Sequence, residues 1–159
     1  MNALIDIVKF FYLHYPCTGE LSKARVVKMV YLADWRSCIV NGRQITDIHW
    51  YFNHYGPYVS EIIDIIRQDN DFLIHSSTNV FGDSKEVVIL QNKQCEVNVS
   101  PDVSDILEFV IKKTSLLSWN DFIDLVYSTY PVVTQQRYSF FDLVALSKKY
   151  KEQMSQIKC

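Results

Sequence analysis

Glycine and proline are scarce in this chain, 4 of each among 159 residues. Their scarcity leaves no room for a long flexible linker or a low-complexity segment. The glycines are also too widely spaced to build a loop that cradles phosphate. Cysteine is equally sparse. Cys17, Cys38, Cys95 and Cys159 contain no C-x-x-C pair, so reduced thiols are expected rather than a disulfide framework. No run approaches the roughly 18 to 20 apolar residues that a membrane-spanning helix needs. Residues 1–9 are interrupted by Asp6 and Lys9, lack a basic start, and are followed by no small-residue cleavage site. A formal charge of −2 supplies no pull toward nucleic acid or an anionic membrane surface. The expectation is a cytoplasmic protein with no membrane partner.

Constellations that carry chemistry are missing too. There is no Gly-x-Ser-x-Gly turn and no local signature around any cysteine. His49 and His54 are five apart in a strand-and-turn segment, which points them apart, while His14 and His75 are isolated. Only Cys17, three residues after His14, comes near a zinc-like spacing. We therefore expect no catalytic residues, no metal and no cofactor, and a protein that is not an enzyme.

What the chain does have is aromatic residues, 14% of the total, with 10 Tyr and 9 Phe. Its length suits one domain that buries about 70% of the surface an unfolded chain exposes. Leu4, Val8, Phe11 and Tyr15 predict a helix over residues 2–15, stopped by Pro16. A second is predicted over 22–40, with Ser22 as N-cap, Val26, Met29, Val30 and Ala33 inside, and Gly42 as its stop. Residues 48–53 read as a strand with Ile48, Trp50 and Phe52 on one face. Gly56 and Pro57 read as a structural turn that opens a third helix, with Val59, Ile62, Ile63 and Ile66 as its stripe. A hairpin is predicted from Phe72 to Asn79 and Glu86 to Leu90, around Gly82-Asp83-Ser84. Ser100-Pro101-Asp102 starts the next helix, which faces inward through Val103, Ile106, Leu107 and Val110. Ser118 starts another, with Asp121 in its first turn and Pro131 closing it. A last helix spans about 139–153. The fold class is mainly α (α+β): a single-domain helical bundle over 1–153 with a small antiparallel sheet or hairpin in the middle, then a polar C-terminal tail over 154–159.

Two segments carry a resemblance. Lys28-Met29-Val30-Tyr31 lies on the second helix, and Trp50 through Tyr55-Gly56-Pro57 follows about 20 residues later. This order resembles the Panacea domain, the SocA-like antitoxin domain of bacterial and phage toxin–antitoxin modules, and is clearest over residues 3–68. The resemblance implies an antitoxin that neutralises a cognate protein toxin by direct contact, with some members delivering the toxin to an ATP-dependent protease. Trp50, Tyr51, His54, Tyr55 and Tyr58 crowd four rings and an imidazole into nine positions, and alternation cannot bury them all. Those left exposed would form a rigid contact patch. Lys28, Tyr31 and Trp35 share a helix face distinct from the inner stripe, a second candidate contact surface.

The alternative is a nucleic-acid-binding transcriptional regulator. The best recognition helix, 58–68, carries Glu61 and Asp64 against Arg67, and Asp69 and Asp71 follow. Such a helix would meet phosphate repulsion, so nucleic acid is not the expected partner. Lys148, Lys149, Lys151 and Lys158 read as a solvated end.

Overall fold

The computed structural model describes residues 3–17, 19, 21–78 and 80–157. The expected strand end at Asn79, the expected helix start at residue 2, and Lys158 and Cys159 lie outside the described residues.

The second helix organises the rest. It is α2 (Lys23–Asn41), and it follows α1 (Leu4–His14). Ser22 caps α2 through a hydrogen bond from the Arg25 N–H, and Gly42 ends it in the left-handed conformation at φ 75°. From Arg25 to Trp35 every residue is buried, because α1, α3 (Glu61–Gln68), α4 (Pro101–Thr114) and α7 (Leu143–Ile157) pack around it. A helix covered on all sides has no spare face. The second contact face expected from Lys28, Tyr31 and Trp35 therefore belongs to the core.

Asp34, fully buried, fixes the chain that leaves α2. It accepts hydrogen bonds from the Ile45 and Thr46 N–H groups, the Thr46 hydroxyl, the Gln44 amide and the Trp50 indole N–H at 2.8 Å. Burial nevertheless lifts its pKa to about 6, with those hydrogen bonds pulling the other way. On the far side, Lys9 of α1 reaches Asp71 at 2.7 Å and Asp69 at 3.2 Å, tying α1 to the end of α3. Burial opposes the charged Lys9, but the two carboxylates overcome it and raise its pKa.

Two antiparallel hairpins complete the fold. The first pairs β1 (Tyr51–Asn53) with β2 (Gly56–Tyr58), with Phe52 opposite Pro57 and Asn53 opposite Gly56. Here the expectation of a helix opening at Gly56-Pro57 is corrected. These residues form the returning strand, and α3 begins only at Glu61. Gly56 takes φ 96°, and a Cβ there would sit 2.8 Å from the Tyr127 ring, so the reversal needs glycine both for conformation and for space. Proline fits a two-stranded edge as it fits a helix start, which is why the dipeptide misled. The second hairpin, β3 (Phe72–Thr78) with β4 (Ser84–Leu90), has the predicted position.

The C-terminal third also departs from expectation. Pro131 does not close α5 (Trp119–Tyr127) but sits in the first turn of a short extra helix, α6 (Tyr130–Thr134). The last helix starts at Leu143 and continues to Ile157, so residues 154–157 are helix rather than tail. An irregular segment, 135–142, joins α6 to α7.

Candidate functional site

The first hairpin and the 135–142 segment meet along one edge. Phe52 N–H donates to Ser139 O at 2.9 Å, Tyr138 N–H to Phe52 O at 2.6 Å, and Phe141 N–H to Trp50 O at 2.9 Å. The segment thus lies beside β1 as an added strap, with Tyr51 bridged to Phe140. Phe52 and Phe141 turn inward and pack with ring centroids 5.4 Å apart. Alternation then turns their neighbours outward.

The outward rings form a ridge. Tyr51, half-buried, packs on Phe140 at 5.0 Å, and Phe140 itself is 69% exposed. At the hairpin tip Tyr55 is 74% exposed and stands edge-on to His54 at 4.7 Å. His54 Nδ1 lies 3.4 Å from the Tyr138 hydroxyl, and the Tyr138 ring is 61% exposed. Arg137 donates to His54 O at 3.3 Å while its guanidinium lies 5.4 Å from the Phe52 ring centroid. Tyr58 sits opposite Tyr51 in the register and is exposed, beside a shallow cleft lined by Val27 and Ile63.

Tyr138 has φ 67°, the one left-handed non-glycine backbone among the described residues. For a bulky side chain that conformation costs roughly 1 to 2 kcal/mol. It is held by strap hydrogen bonds on either side, including Ser139 Oγ to Gln136 O at 2.7 Å. Strain of this kind clusters at functional sites.

The sequence-derived candidates therefore divide. Tyr51, His54, Tyr55 and Tyr58 stay at the surface. Lys28, Tyr31, Trp35 and Trp50 do not, a correction to their reading as contact residues. Tyr31 shares a hydrogen bond with Thr129 at 2.8 Å and meets the Trp50 ring edge-on at 5.6 Å. Trp35 stacks nearly parallel to Tyr130 at 6.4 Å. Lys28 is buried without an ion pair to a described carboxylate, and burial lowers its pKa. Gly56 and Pro57 are buried at the base of the ridge. Sequence reasoning does not find Arg137, Tyr138 and Phe140: a last helix expected from about residue 139 takes in Phe140 and leaves Arg137 and Tyr138 unassigned, whereas the helix starts at Leu143. The available signal is the crowding of three rings, Tyr138, Phe140 and Phe141, into four positions.

A second concavity, about 690 Å³, lies between α2, α4 and α5. Leu32, Ile39, Phe109 and Leu125 wall it, with Arg36 3.9 Å over the Phe109 ring. Among the described residues no group of three or more His, Cys, Asp or Glu is placed to hold a metal ion. No helix among them is long and apolar enough to cross a membrane.

The family model described as antitoxin SocA-like, Panacea domain, matches residues 26–131. The match starts inside α2 and runs past residue 68 to Pro131, further than the two sequence motifs reach. No curated protein and no solved structure matches the chain.

Proposed function

This chain belongs to the SocA-like antitoxin family, and from that premise we propose that it neutralises a cognate protein toxin by direct, non-catalytic binding through the hairpin–strap ridge. The observation that carries this reading is the outward set of Tyr51, His54, Tyr55, Tyr138 and Phe140, which includes the left-handed backbone at Tyr138. Tyrosine and phenylalanine offer large contact area at small entropic cost, the composition of interface anchors. The proposal places the protein in the cytoplasm with its toxin. Delivery to an ATP-dependent protease belongs to the same proposal: the ridge would hold the toxin while another surface meets the protease.

The regulator alternative finds less support. On α3, Glu61 and Asp64 are exposed, and Arg67 is committed to Glu86 at 2.8 Å, which leaves that helix anionic in a groove of phosphates.

Co-expression with the product of the adjacent reading frame tests the proposal. The wild-type protein should rescue growth and co-purify with that product, and rescue should fail in ridge variants that stay folded. A folded wild-type protein that neither binds nor protects would overturn it. Tight binding to the gene's own upstream DNA near physiological salt, by this protein alone, would favour the regulator.

A further inference from the structure

Arg25 is a buried cation with no counter-charge among the described residues. It is 3% exposed, and its Nε donates to the Tyr15 hydroxyl at 3.0 Å. One terminal nitrogen, Nη2, donates to Thr114 O at 2.8 Å and Leu117 O at 2.9 Å. The guanidinium lies 4.6 Å from the Phe122 ring centroid. All of these partners are neutral, and no described carboxylate lies within ion-pair distance. The other terminal nitrogen, Nη1, makes no hydrogen bond to a described residue, yet no buried side-chain nitrogen lacks a partner. Nη1 therefore keeps some contact with solvent, and Arg25 lines a cleft of about 530 Å³.

The cleft walls reinforce the charge. Ser22 and Ser118, the N-caps of the 19-residue α2 and the 9-residue α5, both line it, so two helices direct their positive ends there. Among the described lining residues the acidic one is Glu86, and Arg67 at 2.8 Å and Lys23 at 3.3 Å already match its charge. Leu21, Val87, Leu117 and the half-exposed Trp119 supply apolar surface. With Nε and Nη2 occupied inside the fold, Nη1 keeps two N–H groups to donate beside an apolar wall, which suits one carboxylate attached to an apolar group.

We propose that the Arg25 cleft receives a carboxylate of the protein partner, flanked by an apolar side chain, at a site separate in its residues from the aromatic ridge. The inference rests on the antitoxin reading only in making the ligand part of a protein.

The test uses the chain alone, so it can fail while the antitoxin reading stands, and loss of wild-type protection can overturn that reading without touching this one. Three blocked peptides serve as probes in ¹H–¹⁵N spectra: acetyl-Leu-Phe with a free C-terminus, acetyl-Ala-Glu-Phe-amide, and the neutral acetyl-Leu-Phe-amide. One or both acids should shift the Arg25 Nε–H and Trp119 indole signals, and the better acid identifies a terminal or a side-chain carboxylate. The neutral amide should bind at least tenfold more weakly. Arg25→Met should abolish the shifts. Because it also removes bonds to Tyr15, Thr114 and Leu117, Trp119→Ala at the rim serves as the second variant, and should weaken acid binding several-fold while remaining folded. Equal binding of acid and amide, or no shift with either acid, overturns the assignment. So does inorganic phosphate binding as tightly as the peptides, which would mark a free-anion site.

Discussion

Tyr31, Trp35 and Trp50 lie within the family-matched part of the chain with their rings enclosed, whereas Tyr55, Tyr138 and Phe140 turn theirs to solvent. The first group is held by partners inside the protein: Thr129 for Tyr31, Tyr130 for Trp35, Asp34 for Trp50. The second group has backbone supports but few side-chain ones. Half of the ridge, residues 137–140, also lies beyond the matched stretch. The two aromatic sets therefore differ in what surrounds them, and the recognisable motif lies in the buried scaffold. Its Lys28 and Tyr31 are buried on α2, where the Tyr31 ring meets Trp50 edge-on just before the hairpin.

That division makes its strongest prediction at Asp34. Asp34→Ala strips the acceptor from Trp50, Ile45 and Thr46 together, leaving buried donors unpaired. The expected cost is about 3 kcal/mol or more, a fall in Tm of roughly 10 °C, with neutralisation lost only as the fold is lost. The pH dependence has a definite sign. With its folded pKa raised to about 6, against roughly 3.9 for an unfolded aspartate, the carboxyl holds its proton more tightly in the folded state. Its contribution to stability is full below about pH 4 and is lost as pH rises through 6. Measured against Asp34→Asn, which does not titrate, the wild type should lose about 2 to 3 kcal/mol between pH 4 and 7. A flat difference across that range would show that Asp34 is already ionised when folded.

Gly56 joins the two regions, since it closes the hairpin against Tyr127 of α5. Gly56→Ala combines a left-handed alanine with a clash against a ring that can partly swing away, so the expected loss is about 1 to 3 kcal/mol. Urea unfolding should show a lower midpoint at unchanged slope. A variant as stable as wild type would mean that Tyr127 moves freely and the hairpin is not anchored to α5.

Much of the scaffold was readable in advance because its signals are local. Ser22, Ser100 and Ser118 all cap the helices they were expected to start, and the stripe Ile62, Ile63, Ile66 is buried as its spacing requires. The ridge was half readable. Crowded rings at 50–58 announced that some must stay outside, but not which. Trp50 went inside because Asp34, sixteen residues earlier, holds its indole N–H. The strap was unreadable for the same kind of reason. Its pairing with β1 spans more than 80 residues, and the left-handed backbone of Tyr138 leaves no trace in composition.

Single-ring truncations separate the regions most directly. Tyr55→Ala and Phe140→Ala remove exposed rings, so each should change Tm by no more than about 2 °C. If the ridge is the toxin contact, at least one should cost about 2 kcal/mol of binding, roughly 30-fold in Kd. Retained binding in both variants would move the contact elsewhere, with the groove between α2, α4 and α5 as the next surface to scan.

The smallest expected change in stability is at Tyr138, and it is also the most discriminating. Tyr138→Gly releases the cost of holding a tyrosine at φ 67°, while glycine's greater freedom when unfolded works against the variant by a similar amount, about 1 kcal/mol. The two should nearly cancel, leaving Tm within roughly 2 °C of wild type. The strap itself should survive, because its hydrogen bonds to Phe52 and Trp50 are made by backbone atoms. What disappears is the ring beside His54. An unchanged Tm with weakened toxin binding would show that the strained conformation exists to present that ring. A large fall in Tm with binding lost in proportion would instead make Tyr138 part of the scaffold, and the boundary between the two regions would run along the hairpin tip rather than through the strap.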